Sequence, residues 1–253
     1  MESDLLVAHI EAAQGFKTFV LQDTTAESLD STKVCNWAWC MDYQFKYHYG
    51  YSPWVGRGIT PPAHCLFLPH GAPVPVGAWP IYLEDISPEP GTLGFHDDLF
   101  ASKVGPSGVH SGRKLNAVTQ TPEAHVFVKT CQEDGVDPLE VISHEGLETI
   151  VDPNVMSNAE VKVVHYESKL WIVEIGDPVE GNGYALVPGY TLADFVFPRW
   201  YGMPQQRQDL SFRNSVTAPF TLAPNGYQSV APENEPENWT QVWGAATHAP
   251  NKQ

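Results

Sequence analysis

Residues 137–153 read DPLEVISHEGLETIVDP, and the fold turns on how this stretch is read. Asp137 is placed to cap a first turn, Pro138 fits the first helical position where no N–H is needed, and Glu140 completes a capping-box pattern. The Asp152-Pro153 pair stops the helix. Between these signals Leu139, Ile142, Gly146, Leu147 and Ile150 form one apolar or small stripe, so the opposite side carries His144, Glu145, Glu148 and Asp152. Residues four apart share a helix face, so the imidazole of His144 and the carboxylate of Glu148 can reach one metal ion. Glu145 stands beside them as a general base for an attacking water. A polar face left to solvent is the competing reading of the same pattern.

A catalytic zinc needs a third protein ligand. Downstream, KVVHYESKLWIVEIGDPVE at 162–180 alternates as a β-hairpin turning near 167–169, with its second strand expected to run to Gly176-Asp177-Pro178. It offers Glu174, Asp177 and Glu180. Asp177 is the preferred ligand because it falls at the expected strand end, with Glu174 in mid-strand and Glu180 further into the loop. Asp152 is a candidate to orient His144. Zinc suits the donor set, and the high carboxylate content keeps Mn2+ and Ca2+ open.

Working outward, FKTFVLQ at 16–22 has strand composition. NWAWCMDYQFKYHYGYSPWV at 36–55 predicts a core-covering helix with Trp39, Tyr43, Lys46 and Tyr47 at helical spacing, ended by Gly50 and Pro53. The prolines between 61 and 80 predict an extended loop. AWPIYLEDIS at 78–87 and EAHVFVKT at 123–130 read as strands, separated by a turn and short strand in PEPGTLGFHDD and a Gly and Ser-rich loop at 105–112. The compact His96-Asp97-Asp98 group could contribute to the site, but a strand-ending turn is the preferred reading. His64, His70, His110 and His125 are scattered singly and read as structural, and Tyr166, Tyr184 and Tyr190 are open candidates to stabilise an oxyanion. The four cysteines, Cys35, Cys40, Cys65 and Cys131, read as buried free thiols, with a Cys35–Cys40 bridge the one conceivable pairing. From Gln205 onward the composition predicts extended rather than helical chain.

The string SHEGLETIVDP at 143–153 followed by EIGDPVE at 174–180 resembles a set of zincin-like HExxE metallopeptidases in phage and actinobacterial proteins. The likeness continues through WVGRG, GAWPIYLED, GTLGFHDD, HVFVK, YTLADFVFPRWY and VTAPFTLAPNGYQSV, so it spans about 34–230. Glu148 departs from the second histidine of the usual zincin motif. The resemblance implies an α+β fold with a mixed twisted sheet, an active-site helix and an edge strand over the metal that pairs with an extended substrate. Residues 1–204 would form the catalytic-type domain, with 205–253 an extended segment packing on the body or on a neighbouring subunit. The implied activity is zinc-dependent hydrolysis of peptide or amide bonds, with His144, Glu148 and Asp177 on the metal and Glu145 as base. A non-catalytic virion component with the same body is the alternative.

Charge narrows the partners. With 14 Lys and Arg against 30 Asp and Glu, a net charge of -16 argues against nucleic acid, whose affinity comes from clustered cations. The opening MESDLLVAHIEAAQGF lacks the basic start of an export signal, and no apolar run predicts a membrane span. The expected location is therefore cytoplasmic or virion-associated.

Overall fold

The computed structural model describes residues 17–56, 62–97, 121–153 and 162–245. The readings for the first sixteen residues, Asp98, the 105–112 loop with His110, and the Arg-Gly exit after Trp54 lie outside the described residues. The fold is mixed α+β, built on a mixed sheet with several helices packed against it.

In chain order the first half comprises β1 (Lys17–Asp23), α1 (Ser31–Tyr43) continuing into a π-helical turn (Gln44–Tyr49), α2 (Pro53–Gly56), β2 (Ala63–Leu68), β3 (Trp79–Glu84), β4 (Gly94–Asp97) and β5 (Glu123–Phe127). The five strands form one sheet in the order β2-β1-β3-β5-β4. All neighbours pair in parallel except β4, which runs antiparallel to β5 and forms an edge. Strand β2 corrects the expected loop: Pro62 and Pro69 flank AHCLFL without interrupting it, so its ladder with β1 is intact from Ala63 to Leu68. Pro80 does lie inside β3, but before the pairing with β5 begins at Ile81.

Two helices follow, α3 (Val128–Glu133) and α4 (Pro138–Val151). Asp137 caps α4 as expected, accepting from the Leu139 N–H at 3.1 Å. Glu140 does not close the capping box; its carboxylate accepts instead from the Gly183 N–H at 3.1 Å. Leu139, Ile142, Leu147 and Ile150 fill the core, and Gly146 is where α4 crosses α1 and β3. A Cβ there would lie 2.7 Å from Met41 Cε and 3.2 Å from Phe45 Cζ. In α1 the core face is Val34, Trp37, Ala38 and Met41. Trp39 and Tyr47, expected to cover the core, point outward, because Trp37, Met41 and Phe45, two positions away and so on the opposite face, fill the core.

The second half adds β6 (Val163–Tyr166), β7 (Lys169–Ile172), β8 (Tyr184–Val187), β9 (Tyr190–Leu192), β10 (Tyr227–Pro232) and β11 (Thr240–Trp243). The β6–β7 hairpin turns at Glu167-Ser168, both with positive φ (50° and 58°), as a two-residue turn matching strand twist requires. Strand β7 ends at Ile172, earlier than expected, because the Ile175 carbonyl is drawn off to the Val196 N–H and the Glu174 carbonyl to the Tyr201 hydroxyl. Strands β10 and β11 extend this hairpin into a four-stranded antiparallel sheet, order β11-β10-β7-β6. Among the described residues from 205 to 245 there is no helix, as expected, and this segment packs on the body of its own chain, with the Ala223 N–H on the Pro178 carbonyl. All four cysteines are free: Cys35 is exposed and Cys40 buried, since five residues along a helix turns them apart. Among the described residues no helix is long and apolar enough to cross a membrane.

Candidate metal centre

The polar side of α4 does not face solvent. Glu145, Glu148 and Asp152 are 6%, 3% and 0% exposed, which sets aside the solvated-face reading. Ionised carboxylates at that depth are costly unless neutralised by a partner. Three elements supply the partners: α4, the chain leaving β7, and edge strand β4.

His144 Nε2 lies 3.1 Å from Glu148 Oε2 and 3.2 Å from Asp177 Oδ1. Two donors each 2.0–2.1 Å from a tetrahedral ion sit about 3.3 Å apart, so these atoms are spaced as ligands of one ion would be. The other oxygen of Glu148 is fixed by the N–H groups of Gly176 (3.0 Å) and Asp177 (3.2 Å), which aims Oε2 at the imidazole. Gly176 permits this approach: a Cβ there would lie 2.6 Å from His144 Nδ1. Asp177–Val179 form a short 3-10 helix, carrying Asp177 inward.

Of the three downstream acids, Asp177 joins His144 and Glu148, with ligand atoms all within 4.8 Å of one another. Glu174 also reaches the cluster, since the early end of β7 frees it from the strand, and it groups with His96 and Glu148. Glu180 is in neither group and lines the outer cleft. Asp152 does not orient His144: its carboxylate accepts from the Lys162 N–H at 2.8 Å and ties down the chain after α4. Glu148 and Asp177 hold the imidazole instead.

His96 is the largest correction. It lies within strand β4, not in a turn, and is buried, with Nδ1 3.3 Å from Glu145 Oε2 and 3.7 Å from Glu148 Oε2. The strand comes this close because Gly94 has no side chain; a Cβ there would lie 2.8 Å from Val141 Cγ1 and 2.9 Å from Glu145 Oε1. The clue in the sequence was the run of polar residues directly after GF in a strand of only four residues.

Electrostatics agree with the geometry. Burial works against a charged His144, but Glu148, Asp177 and Glu145 outweigh it and hold the imidazole well above its ordinary value. Burial likewise opposes His96, yet its bond to Glu145 and the charges of Glu148, Glu145 and Glu174 raise it to about 9. Burial and the charge of Glu148 push Asp177 up to about 7, while burial, Asp177 and Glu148 push Glu174 well above the usual carboxylate range. Glu148 is held low: burial opposes its charge, but His144 and His96 prevail. Four acids converging on two imidazoles make a site that favours added positive charge.

The site opens on a cleft of about 1120 Å³ lined by His144 and Glu145 at its floor, the 90–94 approach to β4 on one side, and Glu180, Asn225 and Tyr227 on the other. Tyr166, Tyr184 and Tyr190 are not among the lining residues; Tyr166 stacks on Phe220, Tyr184 bonds His48 and Gln44, and Tyr190 bonds Asn36. Tyr227 is the tyrosine at the cleft, and burial with the charges of Asp177 and Glu180 pushes its phenol well above the usual range, so it keeps its proton to donate. Among the described residues His64 pairs with Asp42, His70 with Asp23, His125 with Glu84 and Glu123, and His165 with Glu233. Compared with protein-family models, with curated proteins and with solved structures, the chain finds no match.

Proposed function

We propose that the chain is a metal-dependent hydrolase of peptide or amide bonds with a zincin-like core. The observation that carries this reading is the convergence of His144 Nε2, Glu148 Oε2 and Asp177 Oδ1 beneath a cleft, with Glu145 at its floor. One nitrogen and two carboxylate oxygens suit Zn2+, and Mn2+ also accepts this set. A divalent ion held by these three residues would act as a Lewis acid on water and on a carbonyl oxygen. The support for a zincin-like core is the arrangement of elements: a parallel sheet closed at one edge by antiparallel β4, followed by β5, α3 and the helix bearing HExxE, which packs against β4 and β5.

The chain's own residues divide the remaining work. Glu145 takes the proton of the attacking water and passes it to the leaving amine, and His96 Nδ1 steadies the carboxylate that does so. Strand β4 borders the cleft with one side paired to β5 and, among the described residues, the other unpaired in the sheet, so an extended peptide can add to it by main-chain hydrogen bonds. The Tyr227 hydroxyl, protonated at neutral pH, is a donor for the oxygen that gains charge. The experiment is Glu145→Gln assayed on casein and mixed peptides beside elemental analysis. The expected result is an unchanged metal content with turnover reduced roughly 100-fold or more, the scale of general-base catalysis. Full activity in this variant, or wild-type protein holding under about a tenth of an equivalent of metal, would sink the reading.

A further inference from the structure

Glu148 belongs to two ligand groups at once. One is His144, Glu148 and Asp177; the other is His96, Glu148 and Glu174, again with ligand atoms all within 4.8 Å of one another. We infer that the centre is dinuclear, with a second divalent cation held by His96 and Glu174 and with Glu148 bridging the two ions. This rests on the metal-centre reading above and adds a site to it.

Three observations separate the second group from a mere accumulation of acids. His96 comes from a different element from the rest, strand β4, and is brought to the centre by a close approach that only Gly94 allows. Its Nε2 is buried and has no hydrogen-bond partner among the described residues, although Nδ1 faces Glu145 and Glu148. An unsatisfied buried nitrogen costs about 1–3 kcal/mol, and His96 keeps a ligand atom that no group among the described residues uses. A histidine that gives one ring nitrogen to a carboxylate and keeps the other for an ion is the usual arrangement in metal sites. Finally, the backbone N–H groups of Gly176 and Asp177 hold only Oε1 of Glu148, leaving Oε2 between His144 Nε2 at 3.1 Å and His96 Nδ1 at 3.7 Å. A carboxylate oxygen flanked by imidazoles of two groups is placed to serve both, and paired ions in hydrolases sit about 3.5–4 Å apart, within reach of one carboxylate. One nitrogen and two oxygens form a harder set than a thiolate site and favour Mn2+ or Zn2+.

The test titrates metal-stripped full-length protein with Mn2+, measuring stoichiometry by equilibrium dialysis and coupling between ions by electron paramagnetic resonance. The expected result is about two equivalents with an exchange-coupled spectrum, falling to about one uncoupled equivalent in His96→Ala and in the near-isosteric Glu174→Gln. Circular dichroism of both variants establishes that they fold, and if His96→Ala does not, Glu174→Gln decides. One equivalent in wild type, unaffected by either substitution, overturns the second site while leaving the single-ion reading standing. Two equivalents that both persist in the variants overturn it as well, since the second ion then lies elsewhere. No bound Mn2+ or Zn2+ at all defeats both readings together.

Discussion

At the scale of single residues, the centre depends as much on side chains that are missing as on those that are present. Gly176 has φ −87° and ψ −38°, a conformation open to any residue, so its role is not backbone freedom. What it provides is space, since a Cβ would lie 2.6 Å from His144 Nδ1 and 2.8 Å from Cε1. An imidazole is rigid and this one is pinned by Glu148 and Asp177, so a methyl group must push the ring or the 176–179 turn aside. Either motion separates the three ligand atoms and loosens the Gly176 N–H bond that aims Glu148. Gly176→Ala should therefore weaken metal binding by roughly 10- to 100-fold, the range seen when groups supporting ligands are disturbed. Competition with a fluorescent metal indicator reads the affinity, and the metal-free protein should itself lose about 1–3 kcal/mol, the usual cost of overpacking, read from its denaturation midpoint. An unchanged affinity would mean that the ring and the turn are not in the contact described. His144, Glu145 and Glu148 were legible because helical periodicity alone puts them on one face. Asp177 was singled out as the residue at an expected strand end; the strand stops at Ile172, and Asp177 reaches His144 from the short 3-10 turn that follows. Glu174 stood among the three acids offered downstream and His96 in a polar group able to join the site, but choosing them depends on how close β4 comes to α4 and where β7 stops pairing, and neither is a local property of the sequence.

At the scale of elements, the strongest local signals were those for α4, and they placed it at Pro138–Val151 between the expected cap and stop. The same periodicity misjudged α1, where aromatic residues lie on every side and spacing cannot say which face meets the sheet. Packing decides: Phe45 lies 5.1 Å from Phe19 between ring centroids, and Trp39 is left outside. Strand β2 escaped notice because prolines were read as a property of the whole 61–80 stretch, when six uninterrupted residues suffice for a ladder. The α4 crossing offers a direct check. Gly146 meets Met41, Phe45 and Ile81 within 3.3 Å of a hypothetical Cβ, so α4 can lie this close to α1 and β3 only with the smallest residue. A leucine there must displace all three neighbours. Gly146→Leu should destabilise the fold by about 1–3 kcal/mol, the usual cost of overpacking, partly offset by the better helix propensity of leucine. Urea denaturation followed by tryptophan fluorescence gives the value. A stabilised variant would show that the packing at this crossing is looser than described.

At the scale of the whole molecule, composition suggested a catalytic body up to 204 with an appended segment, and the structure gives that segment a part in the core. Leu210, Val216, Ala223, Val230 and Ala231 are all buried, with the larger ones packed into the same cluster as α4 and the central sheet. Strand β10 pairs with β7, the strand whose continuation delivers Glu174 and Asp177 to the centre, and Tyr227 forms part of the cleft wall. Polar, proline-rich chain can be ordered in this way when a few apolar residues at wide spacing reach a core formed elsewhere. Removing residues 205–253 would expose those five side chains and the facing core. At roughly 1–2 kcal/mol for each, the loss approaches the total stability of an ordinary domain, about 5–15 kcal/mol. The truncated chain should therefore lose its cooperative thermal transition and bind a hydrophobic dye. If the 1–204 fragment instead melts cooperatively within about 5 °C of the full chain, the shift expected of roughly a single kcal/mol or two, the segment is an appendage and the core ends before it. Stopping the chain after Gly244 is the matched control. It keeps both strands and the Gly244 N–H bond to the Gly226 carbonyl, so it should melt like the full-length protein.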